Sequence, residues 1–400
     1  MHRFLLVACI CVSTTACSER LHIGNVMGDG GSLDLAFGKD IYPDASGTVL
    51  TSASQLDILF LIDNSTGMRA VQTKFATHIP RFLSVLKSAP GGLPNVHIAV
   101  ASSSLGAGAF ANVPGCEPGT PGNMGGRFQH NPGSGLNEGK TFVTASADGS
   151  QNNFSGGLET VVASLVSLGP DGCGFEHTLA AARMALTKAA NPSDPDNGGF
   201  LRPDAYLAVI LLTDEDDCSA PEDSPLFDTN VSSIADNPPL GGLWSYRCNE
   251  FGHKCDQPMP HTADGLPTMM TGCVSAEAGA NGEMSDAGVS PYHLISLSEF
   301  TTFFLIRKFD PHKVFVAIMA GPPMPYVIHA RTAQTAGGTE QAPEVGHSCV
   351  ASDGTYADPA VRLSALGLAL GNRAIFESVC ADDFSAPIER IGNAVLNMPR

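Results

Sequence analysis

Positive charge is what this sequence has least of. Lysine and arginine number 22 against 40 aspartates and glutamates, for a formal charge of −18. That balance argues against a surface built to neutralise phosphates or anionic lipid headgroups, and it speaks against nucleic acid as a partner. Trp244 is the one tryptophan, and no internal repeat is visible. Neither His-Glu-x-x-His nor Gly-x-Ser-x-Gly occurs, so the commonest local signatures of zinc peptidases and serine hydrolases are missing. Glycine (43) and proline (28) are plentiful by contrast, and long loops should separate the regular elements.

The N-terminus reads as an export signal. Arg3 supplies a positive start, Phe4 to Val12 a short apolar stretch, and Ser13-Thr14-Thr15-Ala16 the small residues that a signal peptidase needs. The stretch is too short to stay in a bilayer as a helix. Ser13-Thr14-Thr15-Ala16-Cys17 resembles a bacterial lipoprotein box. That resemblance implies removal of residues 1–16, lipid on Cys17 and, because Ser18 follows, residence in the outer membrane. Several acyl chains hold a protein at a membrane lastingly, where one would not. Plain secretion with Cys17 as a bystander is the alternative. Residues 17–54 are rich in Gly, Ser, Asp and Thr without an apolar period, and read as a tether.

Eleven cysteines occur. Cys9 and Cys11 leave with the signal and Cys17 carries lipid. Cys116, Cys173, Cys218, Cys248, Cys255, Cys273, Cys349 and Cys380 remain, an even set that reads in an exported protein as a disulfide framework. The expected pairs are Cys116 with Cys173 and Cys349 with Cys380, with the middle four pairing among themselves. Cys248, His253, Cys255, His261 and Cys273 could instead bind zinc, but an oxidising compartment favours disulfides.

Residues 55–400 read as one α/β domain. Ile58-Leu59-Phe60-Leu61-Ile62, between Asp57 and Asp63, is a strand buried on both faces of a mostly parallel sheet. Further strands are expected over 96–101, 205–214, 313–320 and 374–379. Helices are expected over 68–87, 158–168, 176–190, 292–309, 361–370 and 384–396, with Pro80 kinking or breaking the first. Such alternation means a doubly wound sheet flanked by helices. Insertions fall at about 105–156, 215–290 and 321–358, each without helical or strand periodicity and each carrying cysteine.

Two strand ends carry chemistry. Asp63-Asn64-Ser65-Thr66-Gly67 follows the first strand, and Thr213-Asp214 ends the strand over 205–214. A hydrophobic strand running into Asp-x-Ser-x-Ser resembles the opening of a von Willebrand factor type A (VWA) domain, whose metal-ion-dependent adhesion site (MIDAS) begins there. Asp63 and Ser65 match, and Gly67 stands where the last Ser belongs. The resemblance implies further ligands in Asp214 and in Thr178 or Glu176. It implies a divalent cation (Mg²⁺, Mn²⁺ or Ca²⁺) with an open position for a carboxylate of a protein partner, weakened by the missing Ser. Oxygen ligands at the carboxyl end of a sheet suit a hard cation. Glu215 and Asp217, next in the run Asp214-Glu215-Asp216-Asp217, read as a solvated acidic loop.

The function expected is non-catalytic: adhesion or protein binding in the cell envelope, with membrane contact through the lipid anchor only. Alternatives are a structural envelope protein with a vestigial metal site, binding through its insertions, and a hydrolase using His177. Gly139-Lys140-Thr141 imitates the end of a phosphate-binding loop, but Ser134 stands where the first Gly is required.

Overall fold

Burial on both sides of one strand organises the domain. In a computed structural model, β1 (Gln55–Ile62) turns Ile58, Phe60 and Ile62 into one core and Leu59 and Leu61 into another, the alternation of any strand. Residues 48–110, 112–233, 236, 240–276, 294–335 and 338–398 are described. All of them belong to one compact unit, Gly38–Arg400. The signal, Cys17 and most of the expected tether lie outside the described residues.

Five more strands join β1: β2 (Asn95–Ser102), β3 (Val143–Ala145), β4 (Tyr206–Leu212), β5 (Val314–Ala320) and β6 (Ala374–Ser378). Their order is β6-β5-β4-β1-β2-β3, parallel except at the β2–β3 edge. The chain first winds outward from β1 in one direction and then returns to wind outward from β4 in the other. Between β1 and β4 the carboxyl ends therefore diverge into a crevice, the usual ligand position in such sheets.

Six helices cover the sheet: α1 (Arg69–Lys87), α2 (Leu158–Leu165), α3 (Thr178–Ala189), α4 (Leu297–Leu305), α5 (Val361–Leu370) and α6 (Ser385–Leu396). Apolar side chains of α1, α2 and α6 share the Phe60 core, and those of α3, α4 and α5 the Leu59 core. On the first face Phe60 meets Phe75 and Phe82 of α1 edge to face, each at 5.7 Å. Each such ring contributes about 1.5–3 kcal/mol by leaving water. Asp57 would be costly inside this sheet; Arg202 Nε at 2.7 Å and Lys308 Nζ at 3.2 Å pair with it.

The disulfides are Cys116–Cys173, Cys218–Cys248, Cys255–Cys273 and Cys349–Cys380, matching both expected pairs and the closed middle set. They exclude a zinc thiolate site. Four such bridges belong to an oxidising compartment. Among the described residues no helix is long and apolar enough to cross a membrane.

Several expectations need correction. Pro80 does not break α1, which continues through it. The helix expected over 292–309 spans only Leu297–Leu305. Residues 48–54, assigned to the tether, are folded: Thr48–Val49 pairs with Asn397–Met398, and Leu50 is fully buried. The insertion at 321–358 contains a long hairpin, Tyr326–Thr335 against Gly338–Val345. Residues 215–290 contain a short helix, Tyr246–Gly252, and the strand Thr268–Met270 beside that hairpin.

Candidate metal centre

Ile62 and Leu212 pair across β1 and β4, so Asp63 and Thr213 leave neighbouring strands side by side. The Asp63 N–H donates to the Leu212 carbonyl at 2.9 Å. Its Oδ1 accepts the Ser65 N–H at 2.7 Å and its Oδ2 the Thr213 hydroxyl at 2.6 Å. Gln72, in the first turn of α1, donates to the Asp63 carbonyl at 2.7 Å and the Gly169 carbonyl at 3.0 Å, and accepts the Gly169 N–H at 2.9 Å. Asn64 Oδ1 accepts the hydroxyls of Ser102 at 2.6 Å and Ser104 at 2.9 Å. The loop after β1 is thus held from the sheet and from α1 together.

The opposite wall comes from the start of α3 and the end of β4. Glu176 Oε2 accepts the Ser103 hydroxyl at 2.5 Å, and its carbonyl accepts the Cys218 N–H at 2.7 Å. Cys173 and Cys218, both in disulfides, bracket this wall in sequence. Thr178 opens α3. Asp214 follows Thr213, and its carbonyl accepts the Asp358 N–H at 2.8 Å. Three buried oxygens here have no hydrogen-bond partner: Glu176 Oε1, Thr178 Oγ1 and Asp214 Oδ1. Their residues are 0%, 1% and 5% exposed, and Asp63 is 1% exposed. An unsatisfied buried oxygen costs about 1–3 kcal/mol, so three together demand a cause.

The electrostatics point the same way. Burial pushes the Asp63 carboxyl up from its ordinary range, against hydrogen bonds from Thr213 and Ser65 that pull it down. Burial, then the neighbouring Asp63 and Glu215, push Glu176 well up. Asp214 is pushed well up by burial, then by Asp63, Glu215 and Asp358. Glu215 follows by burial, then by Asp358 and Asp63. Carboxyls so placed either keep protons or share a cation.

The acidic run is not a solvated loop. Asp217 is 1% exposed; its Oδ1 accepts the Leu179 N–H at 2.9 Å and the Ser219 hydroxyl at 2.6 Å, and its Oδ2 pairs with Arg362 at 3.1 Å. Asp216 Oδ2 meets His253 Nε2 and the Arg362 N–H, both at 2.8 Å, and Oδ1 accepts the Leu363 N–H at 3.1 Å. Each carboxylate satisfies backbone donors at a helix start, Asp217 for α3 and Asp216 for α5. Glu215, half-buried, remains beside Asp214 and Asp358.

Asp63, Glu176 and Asp214 are therefore electrostatic neighbours, and Thr178 presents an unpartnered hydroxyl at the start of α3. Gly67 carries no ligand atom; its position faces the Asp214 carboxylate. Among the described residues no group of three or more His, Cys, Asp or Glu is arranged to hold a metal ion, so a cation here would need hydroxyl ligands in its shell. The donor set is all oxygen, which fits a hard divalent cation, and the three unpartnered oxygens give it atoms to bind. Sequence reading named Thr213 only as the residue before Asp214, and it missed Ser103 and Asp358, which lie in loops with no local signal.

His177 is no free base. Its Nε2 stands 2.9 Å from the Gly106 carbonyl, its ring packs on Phe227, and burial pushes its pKa down.

No known family's model matches the chain, and no curated protein matches it. Among solved structures, the pilus adhesin SpaC from Lactobacillus rhamnosus GG, in its open conformation, is similar at 13% identity with a TM-score of 0.32. The likeness covers 88% of this chain and 31% of that one, so the chain spans about a third of the adhesin's length. A similarity that distant carries no argument about the site.

Proposed function

We propose that this is an exported, lipid-anchored VWA-like domain. It binds a protein partner non-catalytically, at a face holding a divalent cation (Mg²⁺, Mn²⁺ or Ca²⁺). Asp63, Ser65, Asp214 and either Thr178 or Glu176 would hold the ion, which would supply a Lewis-acidic position for an oxygen of the partner. The observation that carries this reading is the set of buried, unpartnered oxygens on Glu176, Thr178 and Asp214. Strand order adds to it, because the set lies where the sheet's winding reverses. An anchored, outer-membrane location rests on the Ser13–Cys17 pattern and agrees with the four disulfides.

Calorimetry on oxidised protein should give saturable binding of at least one of the three cations, lost in Asp63→Ala. Absence of heat for all three, or unchanged binding in the variant, ends the proposal. A second reading is a structural envelope protein whose insertions make the contacts. It is favoured by the lack of a ready-made group of three acidic, His or Cys ligands among the described residues. Chelation separates the two, since partner capture through the insertions survives it.

A further inference from the structure

Asn-x-Ser or Asn-x-Thr, with x other than proline, is the acceptor pattern for N-linked glycan in exported proteins, and it serves only where the asparagine reaches the surface. The pattern occurs at Asn64, Asn153 and Asn230, and the fold treats these places differently. Asn64 is buried beside the candidate site. Its Oδ1 accepts the Ser102 and Ser104 hydroxyls, and its Nδ2 donates to the Pro121 carbonyl at 3.2 Å. Asn153 is half-buried, and its amide is built into the edge of the sheet: Nδ2 donates to the Phe142 carbonyl at 2.9 Å, and Oδ1 accepts the Thr144 N–H of β3 at 2.8 Å. A sugar on either nitrogen would break those bonds and leave a carbonyl short of its donor, at a cost of about 1–3 kcal/mol.

Asn230 is placed otherwise. It is exposed, outside any helix or strand, in the loop that the Cys218–Cys248 bridge closes. Asp228 Oδ1 accepts the Asn230 N–H and its Nδ2, each at 2.9 Å. That side-chain contact lies in water, so exchanging it costs little. The next residue turns inward: Val231 is buried, and its carbonyl accepts Arg247 Nη2. Ser232, at the hydroxyl position of the pattern, donates its N–H to Asp236 Oδ2 at 2.8 Å. Pinning Val231 inside thus leaves the neighbouring Asn230 amide turned to solvent, on an irregular surface loop of the kind that modifying enzymes can reach.

We infer that Asn230 carries an N-linked oligosaccharide. The co-reactant is an oligosaccharide joined through its anomeric carbon to a polyisoprenyl pyrophosphate, brought by an oligosaccharyltransferase. A bond forms between Asn230 Nδ2 and the anomeric carbon, and the bond from that carbon to the pyrophosphate oxygen breaks. The pyrophosphate leaves with the electron pair, and the amide proton passes to a base of the transferase. The inference rests on the exported reading and goes beyond it by assigning a modification to the insertion. Leu226 and Phe227, just before Asn230, lie in the small core that also holds Cys116, Cys173, Cys218 and Cys248. A glycan at Asn230 would cover the loop over that core, where an exposed tip otherwise invites proteolysis.

The test is peptide mass mapping of the full chain recovered from the cells that make it. The peptide holding Asn230 should carry sugar, with fragment ions that keep the innermost sugar on that residue, while the peptides holding Asn64 and Asn153 stay at their sequence masses. Asn230→Gln and Ser232→Ala should each abolish the addition, and Ser232→Thr should retain it; all three should keep the denaturant midpoint of the unsubstituted chain. An unmodified Asn230 peptide, in a chain whose signal is cleaved and whose four bridges are closed, overturns the inference. Equal addition at Asn153 overturns it too, as does addition that survives Ser232→Ala, because the acceptor pattern would then not be what is read. A retained signal counts against the exported reading instead. In that case the oxidised chain is incubated with an oligosaccharyltransferase and its polyisoprenyl-pyrophosphate oligosaccharide, and failure to label Asn230 overturns the inference.

Discussion

Gly67 approaches the Asp214 carboxylate so closely that a β-carbon at position 67 would collide with Asp214 Oδ2. Its backbone lies outside the left-handed region, so the requirement is space and not conformation. The glycine that departs from the resembled motif is therefore fitted to its neighbour. Gly67→Ser, which restores that motif on paper, should displace Asp214, lower cation affinity and destabilise the fold by about 1–3 kcal/mol through overpacking. Denaturant midpoints and calorimetry on the same sample check it; a serine variant that binds better would show that Asp214 yields.

Cations should stabilise the oxidised protein. At a hundredfold excess over the dissociation constant, the gain is about 2.7 kcal/mol, and the thermal midpoint rises with it. Asp214→Asn should abolish that rise while leaving the cation-free protein as stable or more so, because it removes a carboxyl whose charged form is resisted by burial and three acidic neighbours. A variant that is simply less stable, with the cation effect intact, would mark Asp214 as structural.

How much of this could be read from residues alone follows from where the signals lie. Ile58 to Ile62 and Leu207 to Leu212 announce buried parallel strands because both faces are apolar, and Asp63 and Asp214 are legible as strand-end carboxylates. The hairpin from Tyr326 was not legible in the same way. Its Tyr326 side is buried and its far half exposed, so no single period runs through it. Asp217 was misread because acidic runs are usually wet, and its partner Arg362 lies 145 residues away. Local pattern reports faces and ends; it does not report which distant cation will arrive.

That pair gives a further expectation. Arg362 is fully buried, donates to Asp217 Oδ2 from Nε at 3.2 Å and reaches Ser275 Oγ at 2.8 Å and the Ile295 carbonyl at 2.7 Å. It ties α5 to the insertion and to the loop that opens α3. Arg362→Met leaves Asp217 buried and unpaired, at a cost of about 3–5 kcal/mol. The double variant with Asp217→Asn should recover part of that loss. Urea denaturation of both variants measures it, and a loss under about 1 kcal/mol in the single variant would mean that water reaches the site.

Acid should also work against the fold at a buried histidine. His97, on β2, has its ring against Phe142 at 5.1 Å and its Nδ1 2.9 Å from the Phe200 carbonyl. Burial, then Arg202, lower its pKa from the ordinary 6.5. Below 6.5 the unfolded chain takes up a proton that the folded one resists, so stability present above that value is lost progressively as pH falls toward the folded pKa. Buried His177 acts in the same direction. The two histidines should therefore lower the denaturant midpoint as pH falls from neutral, against the buried carboxyls of the candidate site, whose raised pKa values make protonation favour the fold, and His97→Asn, which retains a donor for the Phe200 carbonyl, should remove its share and shift the slope toward stabilisation by acid. A slope unchanged by the substitution would assign the whole effect elsewhere, with His177 the first group to examine.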